Sequence, residues 1–484
     1  MLLQEFFRES RFLNLGGRLG GRIGAAFSES RLLLVPARLD ARIERSEEQS
    51  LIFGKKRYLK KSPSIFQRLL QSSYILRFLQ GNSFFYGISM AVLLLFPVFP
   101  LLPHPTLLLL LLTACLLGSF LLRMLCGKEK LQIRFFDAAV GVYGLFVLCA
   151  GLASAGGRQS FFYALLSFLL VCSYFPFRQI LRDRIRRDRI LLGSQIGGLL
   201  CSVLGIWQYL FDDLPLLWVD VNRFSDLGGR VTSSFTNPNI LSVYLLFLLP
   251  QALSACLGVG VTLPKRIFFG ICFALEVICL VLTFTRGAWL GALLGIGISL
   301  LLLSRKTRGC FLLLLPLVIL GFPLLPSNVL HRFSSISSVV DSSNRYRLYT
   351  WRGMLRMILE HPFGIGGGER AFVSVFPHYA VSGTEGVMHA HQILLQICAE
   401  LGILGFFCFL LLMLLLVCRA CRGARFWDGE ARASAVGAAG ALIGMLTMGL
   451  FDHIWYYAGM LLLFWFCIAM LQAVPIEERE EAAL

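Results

Sequence analysis

Charge is scarce in this chain. Asp, Glu, Lys and Arg supply only 15% of its 484 residues, against about 25% in an average soluble domain. Acids are the rarer kind, 28 against 45 Lys and Arg, which leaves a formal net charge of +17. That shortage, with a hydrophobic share of 57% and a mean hydropathy of +0.73, excludes a water-soluble enzyme. The long polar tracts of a disordered protein and the glycine period of a collagen are also missing. Cys418 and Cys421 form a CxxC pair, but the second pair that a zinc ribbon requires is absent. Most of the 14 cysteines fall within apolar runs, where cysteine acts as a small hydrophobe.

Long apolar runs are what the sequence has in abundance. A spanning helix needs about 20 mostly apolar residues. Such runs occur near 84–100, 106–125, 136–155, 160–177, 190–211, 239–258, 266–284, 287–304, 309–326, 391–418, 433–451 and 454–473. The expected fold is therefore an all-α polytopic membrane protein of about twelve transmembrane helices. A large helical outer loop separates spans nine and ten. The basic loops all fall on the side of the N-terminus: Arg123 to Arg134, Arg178 to Arg189, Lys265-Arg266, Arg305 to Arg308 and Arg419 to Arg432. By the positive-inside rule both termini are cytoplasmic.

Residues 1–83 precede the first span and are too long and too evenly charged to read as a signal peptide. They form a basic cytoplasmic extension with a low-complexity glycine patch at 16–22. An amphipathic stretch from Ser64 to Leu79 reads as a surface helix that basic residues draw toward anionic lipid. The interleaved acids argue against a nucleic-acid arm. Spans one to nine occupy 84–326, an extracytoplasmic loop 327–390, spans ten to twelve 391–473, and a cytoplasmic tail 474–484.

All 7 histidines fall on the outer side of this topology: His104, His331, His361, His378, His389, His391 and His453. The loop at 327–390 also holds Arg332, Arg345, Arg347, Arg352, Arg356 and Arg370 against Asp341, Glu360, Glu369 and Glu385. An excess of arginine there suits an anionic ligand. Asp341 to Asn344 offers helix caps, and Glu360-His361-Pro362 stops the helix. On a helical projection Arg345, Tyr349, Arg352 and Arg356 share a polar face. Arg347 falls on the opposite, apolar face with Leu348, Trp351, Met354, Leu355 and Ile358. A guanidinium on a buried stripe needs an anionic partner. Arg286 stands alone between two apolar runs, where an arginine costs about 2.5–3.5 kcal/mol at mid-bilayer and so belongs at the outer boundary. Glu276 lies mid-span, paired internally or serving a pathway. The amides of Asn237-Pro238-Asn239 open span six, and the glycines from Gly364 to Gly368 could offer backbone N–H groups to an anion.

Together these residues resemble the O-antigen ligase and polymerase family of bacterial envelope glycosyltransferases. The likeness runs through His391-Gln392 followed by nine residues and Gly402-Ile403-Leu404-Gly405. Arg347 to Trp351, Pro362 to Gly366, Arg286-Gly287 and Asn237-Pro238-Asn239 also match, and the whole covers roughly residues 190–450. The basic extension and Gln392, where asparagine is common, depart from the family's pattern.

The resemblance implies a GT-C-like membrane fold and a metal-independent glycosyltransferase that needs no cofactor. Such an enzyme moves a glycan from undecaprenyl diphosphate to an acceptor at the outer face of the bacterial cytoplasmic membrane. It implies His391 as general base, with Arg347 and Arg286 as catalytic groups on the diphosphate. Asn237, Asn239, Arg345, Trp351, His389 and Gln392 are the expected substrate-binding residues, and none is expected to hold a metal. The expected partners are the lipid-linked donor, a glycan or lipid acceptor and membrane lipids, but no nucleic acid. The family's motifs do not separate polymerase from ligase. The alternative is a multi-pass transporter or flippase of a lipid-linked or other anionic substrate, which would want its arginines along a path through the bilayer.

Overall fold

The computed structural model describes residues 30–50, 73–211, 229–304, 306–309, 311, 342–381, 383–453, 455 and 457–476. The glycine patch at 16–22, residues 64–72 of the expected surface helix, nearly all of the run at 309–326, His331, Arg332 and Asp341 lie outside them, as do residues 477–484.

The described residues are helical throughout, with no strand. A first helix, α1 (Arg31–Gln49), is followed by α2 (Tyr74–Leu79) and α3 (Asn82–Leu94), and by a 3-10 turn at Phe96–Leu101. Next come α4 (Pro105–Leu125), α5 (Phe135–Leu152), α6 (Gly157–Cys172), α7 (Tyr174–Leu181) and α8 (Arg184–Leu210). Then follow α9 (Pro238–Leu257), α10 (Leu263–Leu282), α11 (Arg286–Leu303), α12 (Ser342–Glu360) and α13 (Glu369–Val375). The chain closes with α14 (Ile393–Phe426), α15 (Gly429–Gly449) and α16 (Ala458–Ala473). Proline opens several of these helices, at Pro105 and Pro238, where its missing N–H costs nothing.

Over the described residues the protein is all-α, and its helices fit a polytopic membrane protein. Among the described residues, 8 helices are long and apolar enough to cross a membrane: α4, α5, α6 joined to α7, α8, α9, α11, α14 and α15. The apolar helices α3 and α16 are shorter. Apart from the run at 309–326, each apolar run in the sequence carries one of these helices or α10.

Burial follows composition. Every residue of α16 is buried, and so is most of α9. Both are apolar on all sides, as a helix surrounded by other helices must be. One close contact joins α11 and α15. A Cβ on Gly291 would lie 2.6 Å from the Gly444 carbonyl oxygen, and one on Gly295 would lie 2.6 Å from that of Gly440. Paired glycines four apart let the two backbones touch, the usual means of tight helix association in lipid. Because α11 and α15 run antiparallel, this contact brings the start of α11 beside the chain that leaves α15.

The charged residues gather at the opposite end. Asp137 pairs with Arg178 and accepts a 2.7 Å hydrogen bond from Tyr174. Arg123 pairs with Glu129, and Arg184 with Glu430. Here α1, which the apolar pattern does not predict, packs along α14. Arg422 binds Asp40 at 3.1 Å and also pairs with Glu44, while Glu47 accepts from the Phe135 N–H at 2.9 Å. The acids of the N-terminal extension thus neutralise a basic helix end. The short α2 leaves Tyr74, Ile75 and Phe78 exposed.

Candidate functional site

The site forms where α14 begins. Gln392 caps that helix, its side chain accepting from the Leu395 N–H at 2.5 Å. His391, just before the cap, has φ 51°, a left-handed conformation that turns the chain sharply. Since the helix starts only at Ile393, His389 and His391 are not separated by helical rotation. Their rings lie 4.1 Å apart between centroids. Trp351 on α12 holds this stretch by donating its indole N–H to the Ala390 carbonyl at 2.9 Å. Gln396 accepts from the Ala390 N–H at 2.7 Å and donates to Glu400 at 2.8 Å.

One turn further on, α14 breaks. Gly402 has φ 70° and ψ 179°, and the glycine turn after α12 docks into the break. The Ile365 N–H donates to the Ala399 carbonyl at 2.8 Å, Gly366 to that of Glu400 at 3.2 Å, and Ile403 to that of Pro362 at 2.9 Å. Gly364 has φ 88°, and a Cβ there would lie 2.5 Å from the Glu400 carbonyl oxygen. This corrects the expectation of an anion cradle. The N–H groups of Gly364, Ile365, Gly366 and Gly368 are all engaged within the protein, to His361, Ala399, Glu400 and the Glu400 carboxylate.

Asp452, in the turn between α15 and α16, is the centre of the site. Its Oδ1 lies 3.0 Å from His391 Nδ1 and accepts from the His453 N–H at 2.9 Å. Its Oδ2 accepts from Asn239 Nδ2 at 2.7 Å. Burial by itself raises the Asp452 carboxyl. The His391 hydrogen bond, with the charge of Arg347 and that of the imidazoles when protonated, outweighs it and holds the group well below the usual carboxylate range. An ionised carboxylate only accepts, so the proton of this bond sits on His391 Nδ1. Burial and the neighbouring charges of His391 and Arg347 push His389 down to about 4. His453, fully enclosed, is lowered as well, chiefly by burial.

Behind Asn239 stands Arg230. Its Nη2 donates to Asn239 Oδ1 at 2.8 Å and to Thr285 Oγ1 at 2.7 Å, and its Nε donates to the Thr283 carbonyl at 2.7 Å. A buried guanidinium therefore links the start of α9 to the end of α10 and the start of α11. Arg286 is the first residue of α11, half-buried and next to Thr285.

Of the sequence-derived candidates, His391, His389 and Asn239 come together on or beside Asp452, and Arg347 acts on it by charge. Trp351 and Gln392 position the histidine stretch. Asn237 serves as a local cap, accepting from the Asn239 N–H at 2.8 Å. Arg345 is exposed, as are Arg352 and Arg356. The apolar face assigned to α12 is corrected: Leu348 and Leu355 are 45% and 55% exposed, whereas Met354 and Met357 are fully buried. The helix turns Met354, Met357, Thr350 and Gly353 inward, and Arg347 stands half-buried at the margin. Sequence reasoning missed Asp452 and Arg230. An acid on the acid-poor outer side, directly before His453, was the signal for the first.

Among the described residues, His389, His391 and Asp452 form a group able to hold a metal ion, with one ligand atom from each within 4.8 Å of the others. A cavity behind them is lined by Tyr143, Tyr163, Ser167, Glu400, His453 and Trp455, among others.

A comparison with curated proteins finds no match. Residues 271–410, which contain α11, α12, the glycine turn, both paired histidines and the break in α14, match the family model described as O-antigen ligase. Over these residues the chain is similar to the O-antigen ligase family.

Proposed function

We propose that this protein is a metal-independent membrane glycosyltransferase that polymerises or ligates undecaprenyl-diphosphate-linked oligosaccharide at the outer face of the bacterial cytoplasmic membrane. The observation that carries the proposal is the His391–Asp452 pair, with Nδ1 3.0 Å from the carboxylate, an arrangement that in the neutral ring leaves Nε2 to accept a proton. In the reaction the acceptor hydroxyl attacks the anomeric carbon of the donor sugar. Its proton passes to His391 Nε2, and the bond from that carbon to the diphosphate breaks. Asp452 stabilises the imidazolium that forms and keeps the ring oriented, as the acid of a Ser-His-Asp triad does.

Negative charge grows on the departing diphosphate, and fixed guanidinium groups aid most where charge develops. Arg347 takes this role in the proposal because its charge already acts on the dyad, and Arg286 because it opens α11 beside Thr285. The proposed topology has twelve spans in a GT-C-like arrangement with both termini cytoplasmic. It is supported by the gathering of basic residues at the end of the bundle away from His391. The extension 1–83, the spans 84–326 and 391–473, the outer loop 327–390 and the tail 474–484 are its proposed divisions.

The test is a reconstituted assay with purified protein, undecaprenyl-diphosphate-linked glycan from the same host and each acceptor in turn, in chelator. Wild type should lengthen or transfer the glycan, and His391→Ala should leave the donor untouched. A ladder on the lipid carrier identifies a polymerase, and a glycan on a second acceptor a ligase. Donor untouched by folded wild type would remove catalysis and leave movement of the lipid-linked anion.

A further inference from the structure

A general base needs one histidine and one carboxylate, yet this site holds more. His389 lies against His391 with ring centroids 4.1 Å apart, and the ligand atoms of His389, His391 and Asp452 fall within 4.8 Å of one another. In a tetrahedral zinc site with bonds of about 2.0–2.1 Å, neighbouring ligand atoms stand about 3.3 Å apart. His391 Nδ1 and Asp452 Oδ1, at 3.0 Å, are within a few tenths of an ångström of that separation. The supporting contacts are also those a metal site uses. Asn239 holds the second carboxylate oxygen at 2.7 Å, and Trp351 and Gln396 fix the backbone between the two histidines. Two imidazoles and one carboxylate suit a borderline ion such as Zn²⁺, whereas Mg²⁺ and Ca²⁺ favour oxygen ligands. The His391 side chain is 27% exposed, which gives an ion from solvent a way in.

We propose that His389, His391 and Asp452 form a zinc-binding site, and that Zn²⁺ bound there inhibits glycan transfer. The ion takes the Nδ1 position of the proton shared by His391 and Asp452, and that proton moves by way of solvent to Nε2, which keeps the ring neutral and fills the nitrogen that would accept the acceptor's proton. The carboxylate then serves the metal and no longer orients a free base. His389, which the transfer step does not use, supplies the third ligand. The inhibition rests on His391 being the base, but the binding does not, so the two are tested separately.

The measurement is zinc content after equilibrium dialysis of the full-length protein, purified without a polyhistidine tag and held in nanodiscs. Co²⁺ is used in parallel as a spectroscopic probe. The expected result is one zinc per chain and visible-region Co²⁺ bands of a four-coordinate site. His378→Gln, at an exposed histidine outside the cluster, should keep both. His389→Gln should weaken binding by about tenfold or more, since it removes one of three protein ligands. Stoichiometric zinc should stop transfer in wild type, and chelator should restore it. Protein that retains no zinc, or zinc retained equally by His389→Gln, overturns the site. Because dialysis and spectra on wild type need no variant to fold and no transfer to occur, that failure is separate from failure of the enzymatic reading. Full transfer by zinc-loaded protein overturns the inhibition.

Discussion

Asn239 and Asp452 are joined by a 2.7 Å hydrogen bond across 213 positions of sequence. One opens α9 and the other follows α15, so the bond closes the site between two helix ends that share no local sequence. Asn239 also takes a donor from Arg230, so the amide passes one guanidinium's hold on to the carboxylate that orients His391.

Asp452→Asn keeps the shape of that side chain but reverses the logic of the pair, since an amide can donate to His391 Nδ1 and fix the wrong tautomer. Transfer in a single-turnover assay should fall by about a hundred- to ten-thousand-fold, with normal membrane yield. Activity within a factor of two of wild type would reduce Asp452 to a packing residue.

Arg230→Lys should not rescue Arg230→Ala. Three acceptors, the Thr283 carbonyl, Thr285 Oγ1 and Asn239 Oδ1, surround one planar fork, and an ammonium cannot reach all three in that geometry. Both variants should show a depressed kcat in the same assay. Equal activity of the lysine variant and wild type would mean that only charge is needed there.

Gly295→Val would press a branched side chain against a backbone oxygen 2.6 Å from its Cβ position. Overpacking of this kind costs about 1–3 kcal/mol. The melting temperature in detergent should drop, and transfer should drop with it because α11 carries Arg286. An unchanged melting curve would show that α11 and α15 can separate without consequence.

Glu276→Met should stabilise the protein. Glu276 is wholly buried on α10 opposite Gly198, and neither carboxyl oxygen has a hydrogen-bond partner among the described residues. Relieving a buried unsatisfied polar group is worth about 1–3 kcal/mol. A higher melting temperature with unchanged transfer is expected. Loss of transfer with intact folding would instead make the carboxyl part of a functional pathway.

The helices were legible because hydropathy is a local property. The runs at 106–125 and 239–258 meet α4 and α9 to within a residue or so. Within the site, His391 and Arg347 could be singled out because each breaks the pattern of its own segment. Arg230 and Asp452 could not be ranked that way, since each acquires its role from a partner on another helix. For α12, an ideal projection put Leu348 and Leu355 inside, but what buries a face of that helix is the neighbouring polypeptide around Phe376 and Tyr379. The helix α1 escaped notice because its apolar stripe is narrow, Leu33, Ala37 and Ile43, and the rest of its anchoring is ionic, through Asp40 and Glu44.

The break at Gly402 also decides how deep the site sits. An unbroken α14 of 34 residues would be about 51 Å long, well beyond a hydrocarbon core of about 30 Å. From Ile403 to Phe426 the helix measures roughly 36 Å, enough to traverse that core with a modest tilt. Under the proposed topology the short piece from Ile393 to Leu401 then stands beyond the outer end of the span, and with it His391, as the proposed attack on a lipid-borne diphosphate requires.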